Sequence, residues 1–279
     1  MKWIIGDIHG CYETMMALLE KIKSKDENPE IIFVGDFVDK GLKSKKVLEH
    51  IIPRLKSGEY KAVKGNHEEL IYDGVYNPFI STWIQNGGQF TINSYKEKDI
   101  VDRTLIGEHI NFLNKLPLYL IFEEENNKDL LVSHAFCSEY IDEFESLYGE
   151  GYSEEKIKAF EKEFGLIERC RIEENRDLFL WNRSLPDKEN EKYMNITGHN
   201  ITGHLIAKYG DIRGYDEKTE VIIDRDFGYV CIDTGAFIDD RYDANFGGKL
   251  TAISYPGLEI IQKENIDKVE IQNTKDMEN

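Results

Sequence analysis

The chain has 279 residues, 41% of them hydrophobic and 11% aromatic, enough to bury a substantial core and too aromatic for a disordered segment. Its 35 basic and 53 acidic residues leave a formal net charge of −18, which opposes sequence-independent binding to a phosphate backbone. A phosphorylated substrate stays compatible with that charge where metal ions reverse the local field.

The opening MKWIIGDIHG holds an apolar stretch of only three residues, too short for the core of a signal peptide. No run approaches the roughly 20 apolar residues of a membrane span. Cys11, Cys137, Cys170 and Cys231 are far apart and form no C-x-x-C pair. A reduced, cytoplasmic chain with no membrane partner is the expectation.

Residues 2–5 read as a short strand running into Gly6-Asp7-Ile8-His9-Gly10. Residues 11–23 follow as a helix, with Met15, Leu18, Leu19 and Ile22 on one face. Residues 31–34 are a continuous β-branched and apolar run, the pattern of a buried strand, and end in Gly35-Asp36-Phe37-Val38-Asp39-Lys40-Gly41. A helix is expected over 44–55, with Pro53 near its end, then a strand over 61–63 that ends in Gly65-Asn66-His67-Glu68. Three strands alternating with helices predict βαβ units and a parallel sheet. Ligands of such sheets sit outside the carboxyl ends of the strands.

Further along, residues 83–88 read as a helix end and turn, and 104–115 as a helix stopped by Pro117. Residues 118–122 and 130–132 form a hairpin through 126–129, and its second strand delivers Ser133-His134-Ala135. An acidic helical stretch over 139–174 suggests an insert, 138–175, beside the site. Short strands at 193–197, 220–223, 229–232, 249–254 and 258–261 predict a mostly antiparallel second half. His50 and His109 fit helix surfaces. One domain over 1–265 and a polar tail over 266–279 complete the expected organisation.

Asp7, His9, Asp36, Asn66, His134 and His199 all follow strand ends. Singly, each has a bland reading: Asp7-x-His9 as a helix-capping turn, His134 as a satisfied core histidine. Together they form a mixed oxygen and imidazole set that suits Mn²⁺, Fe or Zn²⁺. Six ligands are too many for one catalytic ion with an open position, and fit two ions sharing a carboxylate. Cys11 reads as a small buried residue starting a helix, and Gly247-Gly248 as a turn.

The first three motifs resemble, in order and spacing, the three signatures of the phosphoprotein phosphatase family of metallophosphoesterases. Ser133-His134-Ala135, Gly198-His199 and Ile232-Asp233-Thr234-Gly235 resemble its later motifs. Trp83 to Gly88, Thr91 and Ser94-Tyr95 are similar to its bacterial and bacteriophage branch, which holds lambda-type serine/threonine phosphatases and symmetrical diadenosine tetraphosphatases. The resemblance implies an α/β calcineurin-like fold, two mixed β-sheets in a central sandwich flanked by helices. It implies two divalent ions, Mn²⁺ first and Fe or Zn²⁺ as alternatives. Asp7 and His9 would bind one ion, Asp36 would bridge, and Asn66, His134 and His199 would bind the other. His67 would donate a proton to the leaving oxygen, with Asp39 holding its ring and Glu68 supporting the ligands.

Lys40 stands where the family usually has Arg; it keeps the charge but not the planar fork, so of the two phosphate-binding cations expected, Lys40 and Arg183, either Lys40 would clamp less rigidly or Arg183 would carry most of that work. His204, in Gly203-His204, is the rival to His199, which directly follows its strand. The leading expectation is hydrolysis of phosphoserine or phosphothreonine in proteins. The runner-up is a symmetrical bis(5'-nucleosyl)-tetraphosphatase; a catalytically silent binding module is a third reading.

Overall fold

The computed structural model describes residues 1–76, 81–98, 100–148, 176–238 and 248–267. The expectations for Cys170, for Gly247, for 149–174 of the acidic insert and for the tail beyond 267 lie outside the described residues.

Strands β1 (Lys2–Ile5), β2 (Glu30–Phe33) and β3 (Tyr60–Ala62) are parallel to one another, as their spacing predicts. A short hairpin, β4 (Lys96–Glu97) with β5 (Ile100–Val101), stands apart. The second sheet is built from β6 (Tyr119–Phe122), β7 (Asp129–Ser133), β8 (Tyr193–Thr197), β9 (Tyr215–Asp216), β10 (Val221–Asp224) and β11 (Tyr229–Cys231), in the order β6-β7-β8-β11-β10-β9. The chain then returns to the first sheet through β12 (Lys249–Tyr255) and β13 (Ile260–Glu264), giving the order β13-β12-β1-β2-β3.

The second half is mostly antiparallel, as expected: β10 pairs β9 and β11, and β12 pairs β1 and β13, in that sense. The centre of the second sheet departs from this, because β7 pairs β8, and β8 pairs β11, in parallel. Within that sheet the outer pairs, β6 with β7 and β9, β10 and β11 in succession, are antiparallel. Parallel neighbours need long crossovers, and the stretches between β7, β8 and β11 are long enough to supply them.

Both faces of the first sheet are covered, which is why its strands read as unbroken apolar runs. Trp3, Ile5, Ile31 and Phe33 face helices α1 (Tyr12–Lys25) and α2 (Ser44–Ser57), against Met15, Leu18, Val47 and Ile51. The alternate residues Ile4, Ile32 and Val34 pack on Leu130, Val132, Ile196 and Val230 of the second sheet. The α2 helix continues through Pro53 to Ser57 and stops at left-handed Gly58. Pro53 is exposed, so its ring interrupts the ladder without disturbing the packed face. His109, expected on a surface, is buried instead and pairs through Nδ1 with the Tyr95 hydroxyl at 2.6 Å. Among the described residues no helix is long and apolar enough to cross a membrane.

Ile4 is fully buried between the sheets. Ile4→Ala should lower stability by about 2–5 kcal/mol, seen as a lower urea midpoint with an unchanged slope; an unaltered midpoint would contradict this packing.

Candidate metal centre

The loops after the parallel strands carry the polar residues, and they lock together through the main chain. The Asp36 carbonyl accepts from the N–H groups of Ile8 at 3.1 Å and His9 at 2.8 Å, and Gly41 N–H donates to the His9 carbonyl at 2.9 Å. His9, Asp36, Asp39, Lys40 and His199 all lie in the left-handed region, with φ between 45° and 71°. That conformation costs an ordinary L-residue about 1–2 kcal/mol, so the surroundings must hold it.

Glu68 supplies much of that hold. Its Oε2 accepts from Asp36 N–H at 2.7 Å and Gly65 N–H at 2.9 Å, and its Oε1 from Phe37 N–H at 2.9 Å. Burial, then the charge of Asp36, push this carboxyl up to about 8, against the pull of the three donors. Two glycines let carboxylates lie against the backbone. A Cβ at Gly65 would stand 2.2 Å from Asp36 Oδ1, and one at Gly198 would stand 1.9 Å from Asp7 Oδ1.

The imidazoles show what the centre is built for. His9 Nδ1–H donates to the Val38 carbonyl at 2.8 Å, and His134 Nδ1–H donates to the Val34 carbonyl at 2.9 Å. Burial first, with Lys40 next for His9, lowers both imidazoles and favours the neutral ring. In that form each Nε2 carries a lone pair, and Lys40 is the donor beside the one on His9. His9 Nε2 faces Asp36 Oδ2 at 3.3 Å, and His134 Nε2 faces Asp36 Oδ1 at 3.5 Å and Asn66 Oδ1 at 2.7 Å. Asp36 Oδ1 accepts from His67 N–H at 3.0 Å, but His134 Nε2 and Asn66 Oδ1 meet as two acceptors across a buried space, which a cation between them would resolve. A ring nitrogen tied to a backbone carbonyl, with the other left free, is the arrangement metal-binding histidines adopt. His199 Nδ1 lies 3.2 Å from Asn66 Oδ1, and its buried Nε2 meets no hydrogen-bond partner. Burial, then His134 in its protonated form and the Arg183 charge, push this ring down to about 2, which Asp36 and the Trp181 main chain only partly offset.

The carboxylates complete the set. Burial, then Asp233 and Asp36, raise Asp7 well above the usual carboxylate range. Burial would raise Asp36 too, but the protonated forms of His134, His67 and His9, with Lys40, outweigh it and hold Asp36 low. Two groups of donors, His9 with Asp36 and His67, and Asp7 with Asp36 and His134, each lie within 4.8 Å and could hold a metal ion. Asp36 belongs to both.

Every residue expected at the site stands in this neighbourhood. His67 is as close to Asp36 as a ligand would be, its Nε2 3.9 Å from Oδ2, but its Nδ1–H donates to Asp39 Oδ2 at 2.7 Å. Lys40 Nζ donates to His9 Nε2 at 3.0 Å and lies 4.5 Å from the centre of the Phe237 ring. Arg183 donates to Asn200 Oδ1 at 3.2 Å, beside His199. His204 is exposed on the Thr202–Tyr209 helix, whereas His199 stacks edge-on to His134. Asp233, left without a role by the sequence reading, is a further buried carboxylate that acts on Asp7. Its place after the β11 strand was the available signal. Cys11, Cys137 and Cys231 are buried, and burial pushes the thiols of Cys137 and Cys231 up to about 12.

Glu68→Gln should lower stability by about 1–3 kcal/mol, because one amide N–H would face a backbone donor where the carboxylate accepted. Urea unfolding checks it; full stability in that variant would mean that the loops hold without Glu68.

Comparison with known proteins fits this geometry. The chain is 33% identical over 141 residues to the asymmetrical bis(5'-nucleosyl)-tetraphosphatase PrpE of Bacillus velezensis, covering 47% of this chain and 55% of that one. It is 32% identical over 88 residues to serine/threonine-protein phosphatase 1 of Salmonella typhimurium, covering 32% and 39%. It is 31% identical over 136 residues to the symmetrical bis(5'-nucleosyl)-tetraphosphatase of Erwinia tasmaniensis, covering 48% and 43%. The chain therefore spans only about half the length of these relatives. A cold-active protein tyrosine phosphatase of known structure shares the fold, with a TM-score of 0.51, 15% identity and coverage of 96% of this chain and 77% of that one. Residues 3–167, the stretch from before Asp7 to beyond His134, match the calcineurin-like phosphoesterases, and the chain belongs to that family.

Proposed function

We propose that the protein hydrolyses phosphate esters with two divalent ions, Mn²⁺ first among the candidates, and that its substrates are phosphoserine and phosphothreonine in proteins. The observation that carries the reading is the Asp36 carboxylate set between the Nε2 atoms of His9 and His134. Asp7 and His9 would hold one ion, Asn66, His134 and His199 the other, with Asp36 shared. When bound, the ions supply Lewis-acid activation of water for in-line attack at phosphorus.

The other steps belong to the chain. Lys40 beside His9 and Arg183 beside His199 bracket the donor cluster and would bind the phosphate oxygens. Asp39 fixes the proton of His67 on Nδ1 in the neutral ring, so Nε2 is the atom that exchanges a proton with the leaving oxygen. A second reading, hydrolysis of a dinucleoside tetraphosphate, is supported by the names of the Bacillus velezensis and Erwinia tasmaniensis relatives. The net charge of −18 weighs against so anionic a substrate.

A side-by-side assay of the Mn²⁺-loaded protein on a phosphoserine peptide and on diadenosine tetraphosphate tests the choice. Higher kcat/KM on the peptide is expected; preference for the nucleotide would assign the second reading, and inertness to both would overturn the activity. His67→Asn should keep its metal and slow phosphoserine hydrolysis by about 10²–10⁴-fold. The loss should shrink on p-nitrophenyl phosphate, whose leaving group needs little protonation. Equal losses accompanied by loss of an ion would make His67 a ligand. Arg183→Ala should lower kcat/KM by about 10²-fold, and unchanged kinetics would move the phosphate clamp elsewhere.

A further inference from the structure

Asp39 is fully buried, and each of its oxygens has two partners. Oδ1 accepts from Thr91 Oγ1 at 2.7 Å and from Trp83 Nε1 at 2.9 Å. Oδ2 accepts from His67 Nδ1 at 2.7 Å and from the same Trp83 N–H at 3.1 Å. The Thr91 hydroxyl closes a ring, because it also accepts from Asp39 N–H at 2.8 Å. Ser44 Oγ, 3.0 Å from Thr91 Oγ1, accepts from that same N–H at 3.2 Å.

We propose that Trp83 and Thr91 are positioning residues that lock the Asp39 carboxylate and, through it, set His67 as the proton donor. The inference rests on the role proposed above for His67. A carboxylate offers about four acceptor directions, and here three donors engage both oxygens, the indole N–H shared between them. Rotating Asp39 would strand a buried oxygen and a buried indole N–H, each at the cost of an unmet hydrogen bond. Only one orientation is therefore available, and it presents Oδ2 to His67.

The fold has made room for the indole. A Cβ at Gly74 would stand 2.3 Å from Trp83 Cε3, and one at Gly88 would stand 2.5 Å from Trp83 Nε1. Trp83 is thus seated between glycines of α3 (Asn66–Tyr76) and of the kinked turn Ile84–Gly88, where Gly87 is left-handed. That turn also touches the Asp39 loop, since a Cβ at Gly87 would stand 2.8 Å from Lys40 N. Thr91 comes from the following helix, Gln89–Ser94. Two successive elements outside the metal-centre loops therefore end on one carboxylate, and that carboxylate ends on His67.

The test uses Thr91→Val, Thr91→Ser and Trp83→Phe, alone and combined with His67→Asn. Metal content and kcat are measured on a phosphoserine peptide and on p-nitrophenyl phosphate. Thr91→Val and Trp83→Phe should retain their metal and lose about 10–100-fold in kcat on the peptide, with a smaller loss on p-nitrophenyl phosphate. Thr91→Ser, which keeps the hydroxyl, should restore most of the rate. In the His67→Asn background neither substitution should slow the enzyme further. Equal losses on both substrates, or losses that add to that of His67→Asn, would show a merely structural role and overturn the proposal. If His67→Asn itself shows no leaving-group dependence, the proton-donor reading fails and takes this inference with it. If His67→Asn shows it and Thr91→Val does not, only this inference fails.

Discussion

Hydrogen-bond acceptors crowd around the buried Asp36 carboxylate. Two imidazoles each give their Nδ1 proton to a backbone carbonyl and turn Nε2 toward that carboxylate, with Lys40 the donor beside His9 Nε2 and the His67 N–H a donor to Asp36 Oδ1. Asp7, Asp233 and the Asn66 carbonyl oxygen add further acceptors nearby. Lone pairs packed this way repel in a low-dielectric interior, and cations among them would relieve that repulsion. The orphaned Nε2 of His199 points to the same need.

The rest of the architecture can be understood as a way of holding that cluster still. Six parallel strands in two sheets, β1, β2, β3, β7, β8 and β11, run into the loops that carry it. The layer of Ile4, Ile32, Val132 and Ile196 fixes one sheet against the other. Glu68 ties the loop after β2 to the loop after β3 through three N–H bonds. These bonds offset the left-handed backbone at Asp36 and its neighbours, so strain is concentrated where function is proposed.

Much of this was legible from the chain because parallel strands deliver their last residues to a common edge. Asp7, Asp36, Asn66, His134 and His199 each follow an apolar run, and periodicity alone puts them at strand ends. The parallel centre of the second sheet was not legible. Short strands separated by turns look like hairpins, and only the pairing of β8 with both β7 and β11 shows the crossovers. His109 was misjudged because helical periodicity does not reveal that Tyr95 covers it. The bonds of Glu68, Trp83 and Thr91 are tertiary. Trp83 and Thr91 stood out as a branch resemblance, but nothing in the spacing connects an indole to a carboxylate 44 residues earlier.

The central claim is that the acceptors around Asp36 are balanced by two cations. Calorimetric titration of the metal-free chain with Mn²⁺, alongside Asp36→Asn, tests it most directly. Two ions per chain are expected for the natural sequence, with at least one lost or strongly weakened in Asp36→Asn. Fewer than two ions in the natural sequence, or undiminished two-ion binding in Asp36→Asn, would contradict the account.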